Sequence, residues 1–133
     1  MSLFQWGRFN SSAGKQLNWK FDCDFLTDGD WEALGRMAWE KMDDRAGLDF
    51  VPADDKKSGN ANKFAAAIAA CGGLIKPTFP CIVDDVWTTG KTMETKKRQL
   101  VKLGHNANKI IGVVVLARGP YPAWVKPVLK LDW

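Results

Sequence analysis

The sequence predicts an α/β fold built on a mostly parallel sheet. Three observations carry that prediction. Short apolar runs at residues 48–52, 81–83 and 110–117 read as strands, and the last two are apolar enough to be buried on both faces. Segments with helical spacing lie between them, so strand and helix alternate along the chain. An acid pair and a Thr/Gly turn follow the middle run, at the strand end where open α/β sheets hold their ligands.

The elements follow in order. Residues 9–24 hold a glycine turn at Gly14 and an extended stretch over 17–21. Thr27 then caps a helix, with Asp30 three residues on, the spacing of a capping box. Trp31, Leu34, Ala38 and Met42 recur at helical spacing and are expected to face the core. Gly47 ends that unit, and residues 48–52 form a short strand before a polar loop at 53–59. Asn60 or Asn62 opens a second helix over 64–70, which Gly72-Gly73 terminates. The motif strand comes next, and a third helix runs from Gly90 to Leu103 and stops at Gly104. Residues 110–117 are rich in β-branched side chains and form a further strand. Gly119-Pro120-Tyr121-Pro122 breaks the pattern, and a tail with Trp124, Val128 and Trp133 is expected to pack back.

Composition bounds the function. At 133 residues the chain has the length of one domain. A hydrophobic share of 46% with 26% charged residues is ordinary for a soluble globule, and no run is long enough to span a membrane. Cys23, Cys71 and Cys81 are scattered and odd in number, which favours buried free thiols and a reducing cytoplasm over disulfides. A single histidine, His105, rules out a histidine metal cluster within one chain and reads as a surface residue after a helix end. Lys91, Lys96, Lys97, Arg98 and Lys102 gather on the third helix, either as a solvated face or as a positive field for a polyphosphate. No interleaving of basic and aromatic residues points to nucleic acid. Seven tryptophans are expected mostly in the core or a subunit contact.

The chemistry concentrates in Pro80-Cys-Ile-Val-Asp-Asp-Val-Trp-Thr-Thr-Gly-Lys-Thr-Met-Glu94. Asp84 and Asp85 suit sugar hydroxyls or a metal. Thr88, Thr89, Gly90, Lys91 and Thr92 offer hydroxyls and free N–H groups at a helix start, which suits a phosphate. Gly90-Lys91-Thr92 looks like the end of a triphosphate-binding P-loop. That loop needs a glycine five positions before Gly90, where this chain has Asp85, and a carboxylate there repels a triphosphate.

Residues 82–92 resemble the phosphoribosyl pyrophosphate (PRPP) signature of type I phosphoribosyltransferases, with Trp87 where a smaller aliphatic residue is usual. Phe9-Asn-Ser-Ser-Ala-Gly-Lys-Gln-Leu-Asn-Trp-Lys-Phe-Asp22 is similar to the opening of orotate phosphoribosyltransferases, although Ala13 and Leu17 replace two serines. The start of the second helix, at Asn60, is also similar to competence-associated phosphoribosyltransferase-like proteins. The resemblance implies a three-layer α/β/α domain with reduced hood and flexible loop. It implies that Asp84 and Asp85 hold the ribose hydroxyls, directly or through Mg²⁺, and that residues 88–92 hold the 5′-phosphate. Ala53, Asp54, Asp55, Lys56 and Lys57 would form the pyrophosphate loop, with a solvated charged loop as the alternative. Lys15, Gln16, Phe21 and Trp87 become base-site candidates, and for Trp87 a packing role stands beside a stacking one. The segment before the motif strand is short and carries one basic residue, Lys76, where the family has a long lid.

Three readings follow. The first is a transferase moving ribose 5-phosphate from PRPP to a nitrogenous base, with a lean toward pyrimidines. The second is a module that binds PRPP or a nucleotide monophosphate without turnover. The third is an interaction protein that keeps only the fold. The resemblance also implies a homodimer and no nucleic acid or membrane partner.

Overall fold

The computed structural model describes residues 4–10, 16–42, 47–54, 59–72 and 79–131, with the two N-terminal strands described by their backbone pairing. β1 (Phe4–Asn10) and β2 (Gln16–Phe21) form an antiparallel pair whose register shifts between Trp6 and Phe9. A short 3₁₀ turn at Cys23–Phe25 leads to α1 (Asp28–Lys41). Then come β3 (Leu48–Pro52), α2 (Asn60–Ala69), β4 (Phe79–Trp87), α3 (Lys91–Lys102), β5 (Ile111–Arg118) and β6 (Val125–Leu131). The last four strands make one sheet in the order β3-β4-β5-β6, parallel throughout.

Helices cover both faces of that sheet. On one face Trp31, Ala38 and Met42 of α1 and its end join Phe64, Ala65 and Ile68 of α2 against Cys81, Val83, Val113, Val115 and Val128. On the other face Met93 and Leu100 of α3 pack with Ile82, Val114 and Val125. The result is the three-layer α/β/α arrangement expected from the sequence. Phe64, Ile68, Met93 and Leu116 are fully buried, and each such side chain contributes about 1.5–3 kcal/mol of transfer free energy. Among the described residues no helix is long and apolar enough to cross a membrane.

Local signals act as expected at α1. The Asp30 N–H donates to Thr27 Oγ1 at 3.2 Å and the Thr27 N–H donates to Asp30 Oδ2 at 2.9 Å, which is a capping box. Trp31, Ala38 and Met42 are buried and Leu34 packs at the edge of the same cluster. Two expectations, the end of the motif strand and the burial of Cys71, need correction, and two strands add to the rest, Val128 and Trp124 packing back as expected. The motif strand extends to Trp87, through both acids, because pairing continues from Val86 to Leu116 and from Trp87 to Ala117. The tail is a fourth parallel strand, β6; as an edge strand it tolerates Pro127, which lowers its strand character in the sequence. Residues 4–10 form β1, which the sequence did not suggest. Cys71 is exposed, whereas Cys23 and Cys81 are buried free thiols as expected. Gly14, Gly73, Lys76 and Trp133 lie outside the described residues.

α1 and α2 approach closely at Gly35. A Cβ built there would sit 2.7 Å from the backbone carbon and Cβ of Ala67. At Gly29, in the same helix, the nearest neighbour is Thr27 Oγ1 at 3.8 Å. Gly35→Ala is therefore expected to destabilise the protein by about 1–3 kcal/mol through overpacking, more than the ~1 kcal/mol that alanine's helix propensity returns. Gly29→Ala, with only the propensity effect, is expected to be neutral or mildly stabilising. Thermal unfolding of both variants checks this; equal melting temperatures would show that the two helices have room to separate.

Candidate functional site

The carboxyl ends of β3, β4 and β5 meet at one edge of the molecule. β4 brings Asp84 and Asp85 there. The Ala53 N–H donates to the Val83 carbonyl at 2.8 Å, which extends the β3–β4 pairing by one residue and carries Asp54 to the same end. Asp54 is half-buried and close enough to raise the pKa of Asp84.

Strand alternation slips at the acid pair. Cys81 and Val83 face α1 and α2, and so does Val86; Ile82 and Trp87 face α3. Regular alternation would put Val83 and Val86 on opposite faces. The slip falls across Asp84–Asp85, where each carboxylate accepts the next residue's N–H. The Asp85 N–H donates to Asp84 Oδ1 and the Val86 N–H donates to Asp85 Oδ1, both at 2.8 Å.

Asp84 is only 9% exposed. Burial pushes its carboxyl up to about 8, helped by the Asp85 charge and by Asp54, while the hydrogen bond from the Asp85 N–H opposes the shift. An acid whose charged form is disfavoured by burial first, and then by a neighbouring carboxylate, gains from a cation or a hydroxyl donor. Asp84 and Asp85 are hard oxygen donors of the kind Mg²⁺ takes, one or two carboxylates with the rest from water and substrate. Among the described residues no group of three or more His, Cys, Asp or Glu side chains is placed to hold a metal by itself. The acid pair fits that mode of binding.

After Trp87 the chain turns through Thr88, half-buried, and Thr89, exposed, to Gly90. Gly90 has φ +81° and caps α3 without any side-chain hydrogen bond. A Cβ there would fall 2.1 Å from the Trp87 ring, so both backbone angle and space demand glycine. The first N–H groups of a helix have no acceptor within it. At α3 these belong to the turn holding Lys91, exposed, and Thr92, half-buried. They form a donor set for an anion beside the acids.

Of the two roles weighed for Trp87, the structure describes packing. Its ring is buried against Gly90, meets Trp124 edge-on at 6.1 Å, and donates its Nε1–H to the Pro120 carbonyl at 3.0 Å. Lys97 Nζ sits 4.4 Å above the Trp124 ring, so one of the α3 cations is engaged there. A groove of about 380 Å³ on the outer side of α3 is lined by Glu94, Lys97, Arg98, Val101, Lys102 and Ala107 and includes neither acid.

Two neighbours of the acid pair, Asn60 and Cys23, and one buried charge at the same end of the sheet, Arg118, escape a reading of the sequence. Asn60, first residue of α2, donates from Nδ2 to Asp24 Oδ1 at 2.9 Å and approaches Asp85 Oδ2 at 3.5 Å. Cys23 is buried, and its thiol is pushed well above the usual range by burial first, then by Asp85, Asp22, Asp24 and Asp84. Arg118 is 3% exposed at the carboxyl end of β5, and burial lowers its pKa. The only sequence signal for Arg118 is a lone cation that ends an apolar run. Ala53 and Asp54 reach the acid end of the sheet. Asp55, Lys56, Lys57 and Lys15 lie outside the described residues, and Gln16 and Phe21 are described only as backbone of β2.

The raised Asp84 pKa has a consequence for stability. The unfolded carboxyl ionises near 3.8, the folded one near 8. Stability tied to this group is full below the lower value and is lost as pH rises through the upper one. Asp84→Asn keeps an oxygen for the Asp85 N–H and removes the charge. It is expected to stabilise the ligand-free protein by about 2 kcal/mol at a pH of about 8.5, and by little at about pH 4. Calorimetric unfolding across that window checks this; a stability difference independent of pH would contradict it.

No protein-family model matches this sequence, and no curated protein matches it. Solved structures do match its shape. Orotate phosphoribosyltransferase from Aeropyrum pernix superposes with a TM-score of 0.73 at 17% identity, over 96% of this chain and 88% of that one. Orotate phosphoribosyltransferase from Mycobacterium tuberculosis H37Rv, solved in complex with Fe(III) dicitrate, gives 0.65 at 17% identity over 96% and 89%. Leishmania donovani UMP synthase gives 0.72 at 17% identity, over 97% of this chain and 34% of that much longer one. The parallel sheet, the helices on both faces and the N-terminal strand pair thus have counterparts over nearly the whole chain, and the fold is that of type I phosphoribosyltransferases in the form seen in orotate phosphoribosyltransferases.

Proposed function

We propose that this chain binds PRPP and transfers its ribose 5-phosphate to a nitrogenous base, with release of pyrophosphate. The observation that carries the proposal is the adjacency of the buried Asp84 and half-buried Asp85 to the Thr88–Thr89–Gly90 turn and the uncapped start of α3. A sugar phosphate needs hydroxyl acceptors and an anion cradle side by side, and this end of the sheet offers both. The likeness of fold to orotate phosphoribosyltransferases supports the reading.

In the proposed reaction the bond from the anomeric carbon to pyrophosphate breaks as a bond to a base nitrogen forms. The nitrogen's proton leaves to solvent or to the departing pyrophosphate. Positive charge develops on the sugar, so the protein's task is placement and charge stabilisation. Asp84 and Asp85 accept from the ribose hydroxyls, and the Asp85 charge stabilises the developing cation. The N–H groups and hydroxyls of residues 88–92 hold the 5′-phosphate. In the proposal the pyrophosphate is assigned to residues 53–57, with Lys56 and Lys57 as its cations. The base is likewise assigned to Lys15, Gln16 and Phe21; Arg118 is a buried charge at the carboxyl end of β5. Mg²⁺, held by Asp84 and Asp85 directly or through water, would neutralise the leaving pyrophosphate. The reading extends to pyrimidine-type acceptors, a homodimer and a cytoplasmic location.

A second reading is favoured by one observation. α2 ends at Ala69 and β4 begins at Phe79, so only residues 70–78 span the place of the family's lid. Exclusion of water by a closing loop is a large part of such chemistry. The same site without a lid is suited to binding PRPP or a nucleotide monophosphate without turnover.

Titration calorimetry with PRPP and Mg²⁺, beside a pyrophosphate-release assay over a panel of bases, separates the readings. The transferase reading expects binding, release with one base, and about tenfold or greater loss of affinity in Asp85→Asn. Binding with no release from any base would establish the second reading. Wild-type protein that fails to bind PRPP, or binds it equally well with both acids changed to asparagine, would overturn both.

A further inference from the structure

We infer that Asn60 is a positioning residue, whose side-chain amide holds the Asp85 carboxylate against the Asp22–Phe25 segment and so fixes the acid at the sugar. The inference rests on the reading of Asp85 as a ribose ligand. An asparagine at a helix start ordinarily caps its own helix through its side-chain oxygen. Asn60 lies one residue inside α2, whose cap is Gly59 with no side-chain hydrogen bond. Its Nδ2 instead points out of the helix, to Asp24 Oδ1 at 2.9 Å and Asp85 Oδ2 at 3.5 Å.

The stoichiometry matches. A primary amide nitrogen carries two hydrogens, and two carboxylates stand at it. Asp85 is then gripped on both oxygens, Oδ1 by the Val86 N–H at 2.8 Å and Oδ2 by Asn60. Asp24 is in turn steadied by its own turn, since its N–H donates to Asp22 Oδ1 at 3.0 Å. A neutral donor is the suitable group here. A lysine would cancel the charge that the sugar needs, and a carboxylate would repel both neighbours. The 3.5 Å contact is long, as catalytic hydrogen bonds commonly are before a ligand arrives. Asp24 is exposed and Asn60 and Asp85 are half-buried, so the bridge adds little to stability and much to placement.

The chain thereby joins three separate elements at one atom: the turn between β2 and α1, the start of α2, and the end of β4. Whatever β1 and β2 contribute over the base is linked to the ribose acids through this bridge.

Asn60→Ala is the decisive variant because it removes the donor without adding charge, whereas Asn60→Asp also sets a third carboxylate beside Asp24 and Asp85. If Asn60 merely begins a helix that Gly59 already caps, Asn60→Ala should bind PRPP as wild type does. If Asn60 positions Asp85, PRPP affinity is expected to fall about tenfold in Asn60→Ala and further in Asn60→Asp, with inorganic phosphate affinity unchanged in both. Hydrogen exchange at the Val86 amide, which reports the Asp85 carboxylate directly, is expected to speed up several-fold (about three- to tenfold) in both variants. Wild-type PRPP affinity in Asn60→Ala, a parallel loss of phosphate affinity in that variant, or unchanged Val86 exchange would overturn the inference. A wild-type protein that binds no PRPP would remove the sugar-transfer reading, and the Val86 exchange alone would then decide whether Asn60 holds Asp85.

Discussion

Two carboxylates on successive residues of a buried strand oppose folding twice over, by losing water and by repelling each other. Much of the carboxyl end of this sheet is arranged around that constraint. The chain meets it locally by giving each acid its successor's N–H, which turns strand donors into carboxylate ligands. It meets it at longer range with the Asn60 amide. What remains is a carboxyl at Asp84 raised to about 8, a tension that the protein alone does not relieve. The proposed hydroxyl-bearing, metal-bound substrate would relieve it, because added donors and positive charge restore the ionised form. In this account the site binds by accepting what its acids lack.

The neighbouring turn at Gly90 is held in place for a different reason. Gly90 takes a positive φ with the Trp87 ring pressed against the place of its missing Cβ. That ring is fixed by the Pro120 carbonyl and by Trp124, whose face carries Lys97. Residues from β4, α3 and the β5–β6 connection therefore hold one turn in place. A bulky tryptophan where the family signature has a smaller aliphatic residue thus reads as a prop beneath the turn.

The sequence was most legible where one segment contains its own logic. The runs at 48–52 and 110–117 show their strands by composition, and Thr27 with Asp30 shows the start of α1 by spacing. The acids and the Thr/Gly turn were readable because strand, ligands and helix start lie within a dozen residues. Legibility failed where neighbours decide. The acids look like a strand end by propensity, yet pairing with Leu116 and Ala117 carries β4 on to Trp87. Pro127 and the flanking lysines disguise β6, which forms because it is an edge. Asn60 and Asp24 stand 36 residues apart, and no pattern in the chain announces a contact that the packing of a turn on a helix start creates.

The central claim is that one ligand spans the acid pair and the turn at Gly90. A crystal structure or amide-shift titration with ribose 5-phosphate and Mg²⁺ tests it most directly. The account predicts the phosphate on the N–H groups of residues 88–92 and the 2′- and 3′-hydroxyls at Asp84 and Asp85, with shifts confined to those segments and to Asn60. A sugar phosphate bound elsewhere, or spectra unmoved by it, would contradict the account.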